Sequence, residues 1–502
     1  MEEIDIMKAF LGIDTEKMID TIDPRIYSSF IEHMGRAVYT GIYEPEHPAA
    51  DGEGFRDDVA DHIRRLNISN IRYPGGNFLS GYRWEDGIGP KNQRPVRREL
   101  AWFSLEPNYV GINEFVTYCR SVGAEPMIGV NLGTRGAQEA ADLVEYCNVP
   151  GGTYWSDLRR SHGYEKAHNI KLWCLGNEMD GPWQICAKTA EEYGRLACET
   201  AKMMKWTDDS IELVACGSSC HSMPTFGKWE RTVLHQCWDY IDYLSLHQYY
   251  QNLDGDIPTF LARSVEMDSF IKEVADICAE EKACHSSSHQ VKLSFDEWNV
   301  WYHFQKDCVP PPKWIFPRPI EEETYDFADA LLVGTMLNTL IKNSDSVKIA
   351  CLAQLVNVIA PIMTEPRGKS WLQTIYYPFY YASRYGRGTA LQVDVKSSTY
   401  TCKLGEIPCL DAAAILSSEM NSVAVFLVNR FGEMMNLSAA FTDKNIDKVH
   451  KAVRLEAPLN AINNKDNTAV IPCNNVDYEF SGNTIQCQLP PFSWTMLLLG
   501  LQ

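Results

Sequence analysis

LWCLGNEMDG, residues 172–181, is a short apolar run that stops at a glycine and then presents an amide and a carboxyl side chain, Asn177 and Glu178. A run of this length, bounded by polar and turn-forming residues, reads as a buried strand with functional groups at its carboxyl end. Seven further stretches repeat the pattern, separated by helix-like sequence: YSSFIEHMGR ending near Glu32, ISNIRYPGGN near Asn77, EPMIGVNLGT near Asn131, ELVACGSSC near Ser219, IDYLSLHQYY at His247, VKLSFDEWN at Glu297 and IACLAQLVNV near Gln354. Successive ends lie about 30 to 60 residues apart, room for a strand, a crossover helix and loops, and eight such units close a (β/α)8 TIM barrel of the α/β class.

Working outward, EEYGRLACETAKMMKW (191–206) and TYDFADALLVGTMLNTLIKN (324–343) space their apolar residues three and four apart, as helices packing one face on a barrel should. After about residue 385 the texture changes to short alternating segments such as AAILSSEM, NSVAVFLVNR and TIQCQLPPFSWTMLLLG, cut by Asn, Gly, Asp and Pro. These predict a C-terminal, jelly-roll-like β-sandwich over 386–502, behind a barrel over 19–385, with the strand-like start MKAFLGID within 1–18 joining the sandwich. The proline-rich CVPPPKWIFPRP (308–319) follows the seventh strand and is expected to form a rigid wall at the barrel mouth.

A chain of 502 residues, 45% hydrophobic and 11% aromatic, can bury a large core. The formal charge of −20 repels phosphate backbones and anionic lipid, so neither nucleic acid nor membrane is expected as a partner. MEEIDIMKAF opens with acids where an export signal would be basic and then apolar, so the expected compartment is the cytoplasm. The sixteen cysteines are then reduced core residues. Cys278, Cys284, His285 and His289 loosely imitate zinc spacing but lack paired Cys-x-x-Cys knuckles, and a Glu-, Lys- and Ser-rich solvated loop is the expected reading. No metal and no cofactor is required by any motif.

In barrel enzymes, side chains at the carboxyl ends of strands converge on one mouth. Glu178 on the fourth strand and Glu297 on the seventh are the two that best suit paired work, because glycoside hydrolysis needs two carboxyl groups flanking an oxocarbenium-like transition state. A single glutamate there would more often cap a helix or join a salt bridge. Here each is flanked by an amide or by aromatics, Trp173 and Asn177 in one case, Trp298 and Trp301 in the other. That mixture stacks a sugar ring, bonds its hydroxyls, and can split two carboxyl groups into an acid and a nucleophile.

FIEHMGRAVYTGIYEP, RYPGGNFLSGYRWEDGIGP, GAEPMIGVNLGT, LWCLGNEMDGPWQ, FDEWNVWY, AQLVNVIAPIMTEP and the late PPFSWTMLLL together resemble the α-L-arabinofuranosidases of glycoside hydrolase family 51, across nearly the whole barrel and the closing strand. The resemblance implies a retaining, exo-acting enzyme that releases terminal α-L-arabinofuranosyl residues from arabino-oligosaccharides, with Glu178 as acid/base and Glu297 as nucleophile. It further implies sugar contacts from Glu32, Asn77, Asn177, Tyr249 and Gln354, support from His247, aromatic walls at Trp102 and Trp301, and assembly into homo-oligomers such as hexamers. The chain departs from the family pattern at Pro107, where threonine is common. Two alternatives stand beside this expectation: another retaining barrel glycosidase acting on β-xylosides or β-glucans, and a sugar-binding protein without catalysis.

Overall fold

In the computed structural model, which describes residues 7–285, 288–303, 310–417 and 421–502, eight parallel strands close a barrel. They are β1 (Ser28–Phe30), β2 (Asn70–Tyr73), β3 (Glu125–Val130), β4 (Leu172–Leu175), β5 (Glu212–Ala215), β6 (Tyr243–Tyr250), β7 (Lys292–Val300) and β8 (Val347–Leu352). Each pairs with the next, and β8 returns to β1 through Cys351 opposite Ser28. Strands buried on both faces need no alternation, which is why β4 reads LWCL and is buried throughout.

The helices between strands carry the local signals that start them. Thr189 caps Ala190–Thr207 by accepting from the Glu192 N–H at 3.2 Å, while Glu192 accepts from the Thr189 N–H at 2.9 Å. Its apolar stripe, from Tyr193 through Ala197, Ala201 and Met204, faces the barrel. Phe327–Lys342 departs from the one-faced expectation, since every residue from Phe327 to Ile341 is buried. The helix lies between the barrel and a second sheet, so both of its faces are covered. At Gly334 an added Cβ would come within 2.7 Å of Trp494 Cδ1, so only glycine admits this approach of helix to sheet.

That second sheet has nine strands. Met7–Thr21 sits inside it, antiparallel to Thr389–Lys396 and parallel to Met435–Phe441. Its central strands, Leu410–Ser417, Ser422–Asn429 and Ser493–Leu501, are buried on both faces with period two. Ala424, Phe426, Val428, Met496 and Leu498 pack toward the barrel, whereas Val423, Val425, Leu427, Leu497 and Leu499 form a separate core inside the sheet domain. The sheet bends back on itself: the Ile446 N–H bonds Gly482 O at 2.8 Å, joining strands that lie near opposite edges. The end of AAILSSEM lies outside the described residues, as do Cys308 and Val309 of the proline-rich stretch.

Candidate active site

Glu178 stands just beyond β4, on a turn that needs two left-handed residues, Gly176 at φ 86° and Glu178 itself at φ 45°. A non-glycine residue there is held against its preference by its surroundings. Glu178 Oε1 lies 3.0 Å from His247 Nδ1, and Oε2 accepts from Trp183 Nε1 at 2.6 Å.

Glu297 owes its direction to a bulge in β7. Ser294 lies opposite Ser245 of β6 and Glu297 lies opposite His247, so three steps on one strand match two on the other. Strict alternation would send Asp296 and Glu297 to opposite faces, but the extra residue lets both reach the same guanidinium, that of Arg72 on β2. Arg72 Nη1 bonds Glu297 Oε1 at 2.6 Å, its Nε is 3.3 Å from Asp296 Oδ2, and its Nη2 bonds Asn177 Oδ1 at 2.6 Å. Tyr249 on β6 donates to Glu297 Oε2 at 2.7 Å.

A carboxylate oxygen of Glu178 and one of Glu297 lie within 4.8 Å of each other. His247 stands beside both, its Nδ1 also 3.6 Å from Glu297 Oε2 and its Nε2 3.5 Å from Asp296 Oδ1. Burial opposes charge on this imidazole, but Glu297, Asp296 and Glu178 together push its pKa up to about 10. Asp296 is equally buried, yet Arg72 and His247 hold it below the ordinary carboxylate range.

Glu32, beyond β1, takes the opposite course. Burial and the nearby charge of Glu297 push it up to about 8, despite donors at Oε1 from the Phe78 N–H (2.9 Å) and Trp102 Nε1 (2.7 Å). Gln354 accepts from the Glu32 N–H at 3.0 Å and points its own amide nitrogen at Glu32 Oε2, 3.4 Å away. Gly76 keeps the centre open: a Cβ there would stand 3.2 Å from Glu297 Oε1, 3.3 Å from Glu32 Oε2 and 3.4 Å from Asn177 Nδ2. That amide nitrogen is buried and has no protein partner, so it is available to a ligand hydroxyl.

Glu32, Trp102, Asn177, Glu178, His247, Tyr249, Glu297 and Gln354 therefore meet in one network at the barrel mouth. Trp301 joins its edge by packing on the Tyr249 ring, centroids 4.9 Å apart, and bonding Glu321 at 2.8 Å. Asn77 is half-buried at the head of the turn Asn77–Gly81, beside Phe78. The described part of the proline-rich stretch packs along the loop that carries Trp102: Arg318 Nη1 bonds Trp102 O at 2.6 Å and the Trp314 N–H bonds Phe103 O at 2.8 Å.

Sequence reasoning passed over Arg72, Asp296 and Trp183. An arginine inside the apolar strand NIRY was the available signal, because buried arginines are rare unless paired. The solvated-loop expectation for Cys278, Cys284 and His285 is corrected: all three belong to the helix Ser264–His285, Cys278 within the core. A helix persists there because Met267, Phe270, Ile271, Val274, Ile277 and Cys278 keep burying one stripe. His289 lies beyond that helix, its Nε2 2.7 Å from Ile241 O.

Two family descriptions match the chain, "Alpha-L-arabinofuranosidase 1 domain" over residues 62–268 and "Alpha-L-arabinofuranosidase C-terminal domain" over residues 296–493. It is 52% identical to the intracellular exo-α-(1→5)-L-arabinofuranosidase 1 of Bacillus subtilis (strain 168), with 99% of each chain covered. It is 49% identical to the intracellular exo-α-(1→5)-L-arabinofuranosidase of Acetivibrio thermocellus, with 98% of this chain and 99% of the other covered. Among solved structures, a family 51 α-L-arabinofuranosidase from Bifidobacterium longum superposes with a TM-score of 0.94 at 39% identity, covering 98% of this chain and 99% of that one. The chain belongs to the α-L-arabinofuranosidases of glycoside hydrolase family 51.

Proposed function

We propose that this enzyme removes terminal, non-reducing α-L-arabinofuranosyl residues from short arabino-oligosaccharides by double displacement, with Glu297 as nucleophile and Glu178 as acid and then base. The observation that carries the reading is the approach of the two carboxylates to within 4.8 Å. Retaining glycosidases hold their carboxyl groups about 5 Å apart, whereas inverting ones leave about 6.5 Å or more for a water between them.

In the first step Glu297 attacks the anomeric carbon while Glu178 gives its proton to the departing oxygen. A water then enters, gives its proton to Glu178, and breaks the glycosyl ester to restore Glu297. Arg72 and Tyr249 hold and aim the nucleophile through hydrogen bonds to its two oxygens, while Asn177, Glu32, Gln354 and Asn77 bond ring hydroxyls. Trp102 and Trp301 wall the sugar.

The names of the relatives support α-(1→5) linkages as substrate and the cytoplasm as compartment. Family resemblance supports a homo-oligomer, with a hexamer as the expected size, to be read by light scattering. Hydrolysis of an aryl α-L-arabinofuranoside followed by NMR tests the chemistry. The α anomer of arabinose should form first, and first appearance of the β anomer would overturn the double displacement.

A further inference from the structure

Away from the barrel mouth, two neighbouring helices bring three further metal-ligating side chains together. His235 stands in the last turn of Lys228–Cys237, and Glu281 and His285 stand one turn apart on Ser264–His285, hence on one face of that helix. Glu281 Oε2 lies 3.8 Å from His235 Nδ1 and 3.8 Å from His285 Nε2, and the three donor atoms all fall within 4.8 Å of one another. Glu281 Oε2 and His285 Nε2 are sealed from solvent and have no hydrogen-bond partner. Two buried polar atoms facing each other unbonded at that distance are an unmet demand, which a shared cation would satisfy.

We propose that His235, Glu281 and His285 form a zinc site that staples these two helices on the outside of the barrel. Two imidazoles and one carboxylate are a donor set for zinc or a similar borderline transition ion, whereas calcium and magnesium prefer all-oxygen shells. Donors around a tetrahedral zinc stand about 3.4 Å apart, so the two 3.8 Å gaps need only a small contraction. The parts that must stay still are already fixed. The His285 ring lies flat on the buried Trp238 indole, 7° from parallel with centroids 5.3 Å apart, and Glu281 is 13% exposed. His235, 74% exposed, is free to swing in, and water completes the shell.

The test uses the whole protein, kept reduced and stripped with a chelator, then titrated with zinc chloride beside its His285→Ala and His235→Ala variants. Wild type should take up one more zinc than either variant and gain thermal stability saturably, because the ion binds only the folded pair of helices. Calcium chloride should do neither. Zinc-edge anomalous diffraction from a soaked crystal should place a peak between the three side chains. Equal zinc content and equal thermal shifts in wild type and both variants, or a soaked crystal with no peak there, would overturn the site. His235 is exposed and His285 packs on the outside of the barrel, neither of them in the network around Glu178 and Glu297, so arabinosidase activity should stay unchanged and serve as the control for folding.

Discussion

Glu297 and Glu178 approach within 4.8 Å, yet they are held by different kinds of group. Glu297 is clamped by a buried guanidinium that cannot lose its proton, with the Tyr249 hydroxyl on its other oxygen. Glu178 is held by an indole N–H from the half-exposed Trp183 and shares His247 with the partner glutamate. A permanent cation suits the nucleophile proposed for Glu297, which must stay an anion until it attacks. An indole N–H that solvent can replace and an imidazolium divided among three carboxylates suit the acid and base proposed for Glu178, which must carry a proton in one step and accept it back in the next. The strand pattern puts both carboxyl groups at the mouth, and on the proposed roles their neighbours divide the labour.

Changes to the two glutamates should break that division with the largest effects. Glu297→Ala should lower turnover of an aryl arabinofuranoside by about 10⁴-fold or more, whatever the leaving group. Glu178→Ala should cost about 10²- to 10⁴-fold on oligosaccharides, far less on aryl groups that depart unprotonated. Added azide should rescue this variant with retention, by replacing the water that Glu178 would activate, whereas any azide product of Glu297→Ala should carry the inverted anomer. Equal losses across leaving groups would mean that the roles are not divided as argued. Arg72→Lys keeps the charge but cannot span Glu297, Asn177 and Asp296 together, so kcat should fall by about 10²-fold. Unchanged kcat would show that charge alone suffices.

Glu32 offers a test on stability. Unfolded, it titrates near 4.5, and folded near 8. Between those values the unfolded chain ionises while the folded one keeps its proton, so the contribution of Glu32 to stability is full below about 4.5 and lost as pH rises through 8. Glu32→Gln removes that slope. Denaturation at pH 5 and pH 8 should show wild type losing more than the variant, by on the order of a few kcal/mol. Parallel losses would mean that Glu32 is ionised in the fold.

How far the sequence alone reaches depends on how local each signal is. The barrel was legible because β4, β6 and β7 announce themselves within ten residues each, as apolar runs ending in Glu178, His247 and Glu297. The buried-both-sides state of Phe327–Lys342 was not, because three-and-four spacing looks alike whether one face or two are covered. Arg72 hid for a similar reason, since nothing in NIRY says which acids across the barrel meet it. The bulge that brings Asp296 and Glu297 to one guanidinium exists only in the pairing of β6 with β7. His235 lies 46 positions before Glu281 in the chain, outside the window in which Cys278, Cys284, His285 and His289 drew attention.

The smallest expected effect sharpens the comparison furthest, because it removes one hydrogen-bond donor from each side of it. Tyr249→Phe takes away the half-buried hydroxyl on Glu297, and Trp183→Phe takes away the indole N–H on Glu178, each leaving an aromatic ring in place. Hydrogen bonds to charged groups contribute about 1.5 to 3 kcal/mol, with the low end expected where water can substitute. Trp183 is 51% exposed and Tyr249 is half-buried, so water replaces the first donor more readily than the second. Tyr249→Phe should therefore lower kcat by about 30-fold and Trp183→Phe by about 12-fold. The reverse order would place the demanding electrostatics at Glu178, and the contrast between a clamped nucleophile and a loosely held acid would have to be given up.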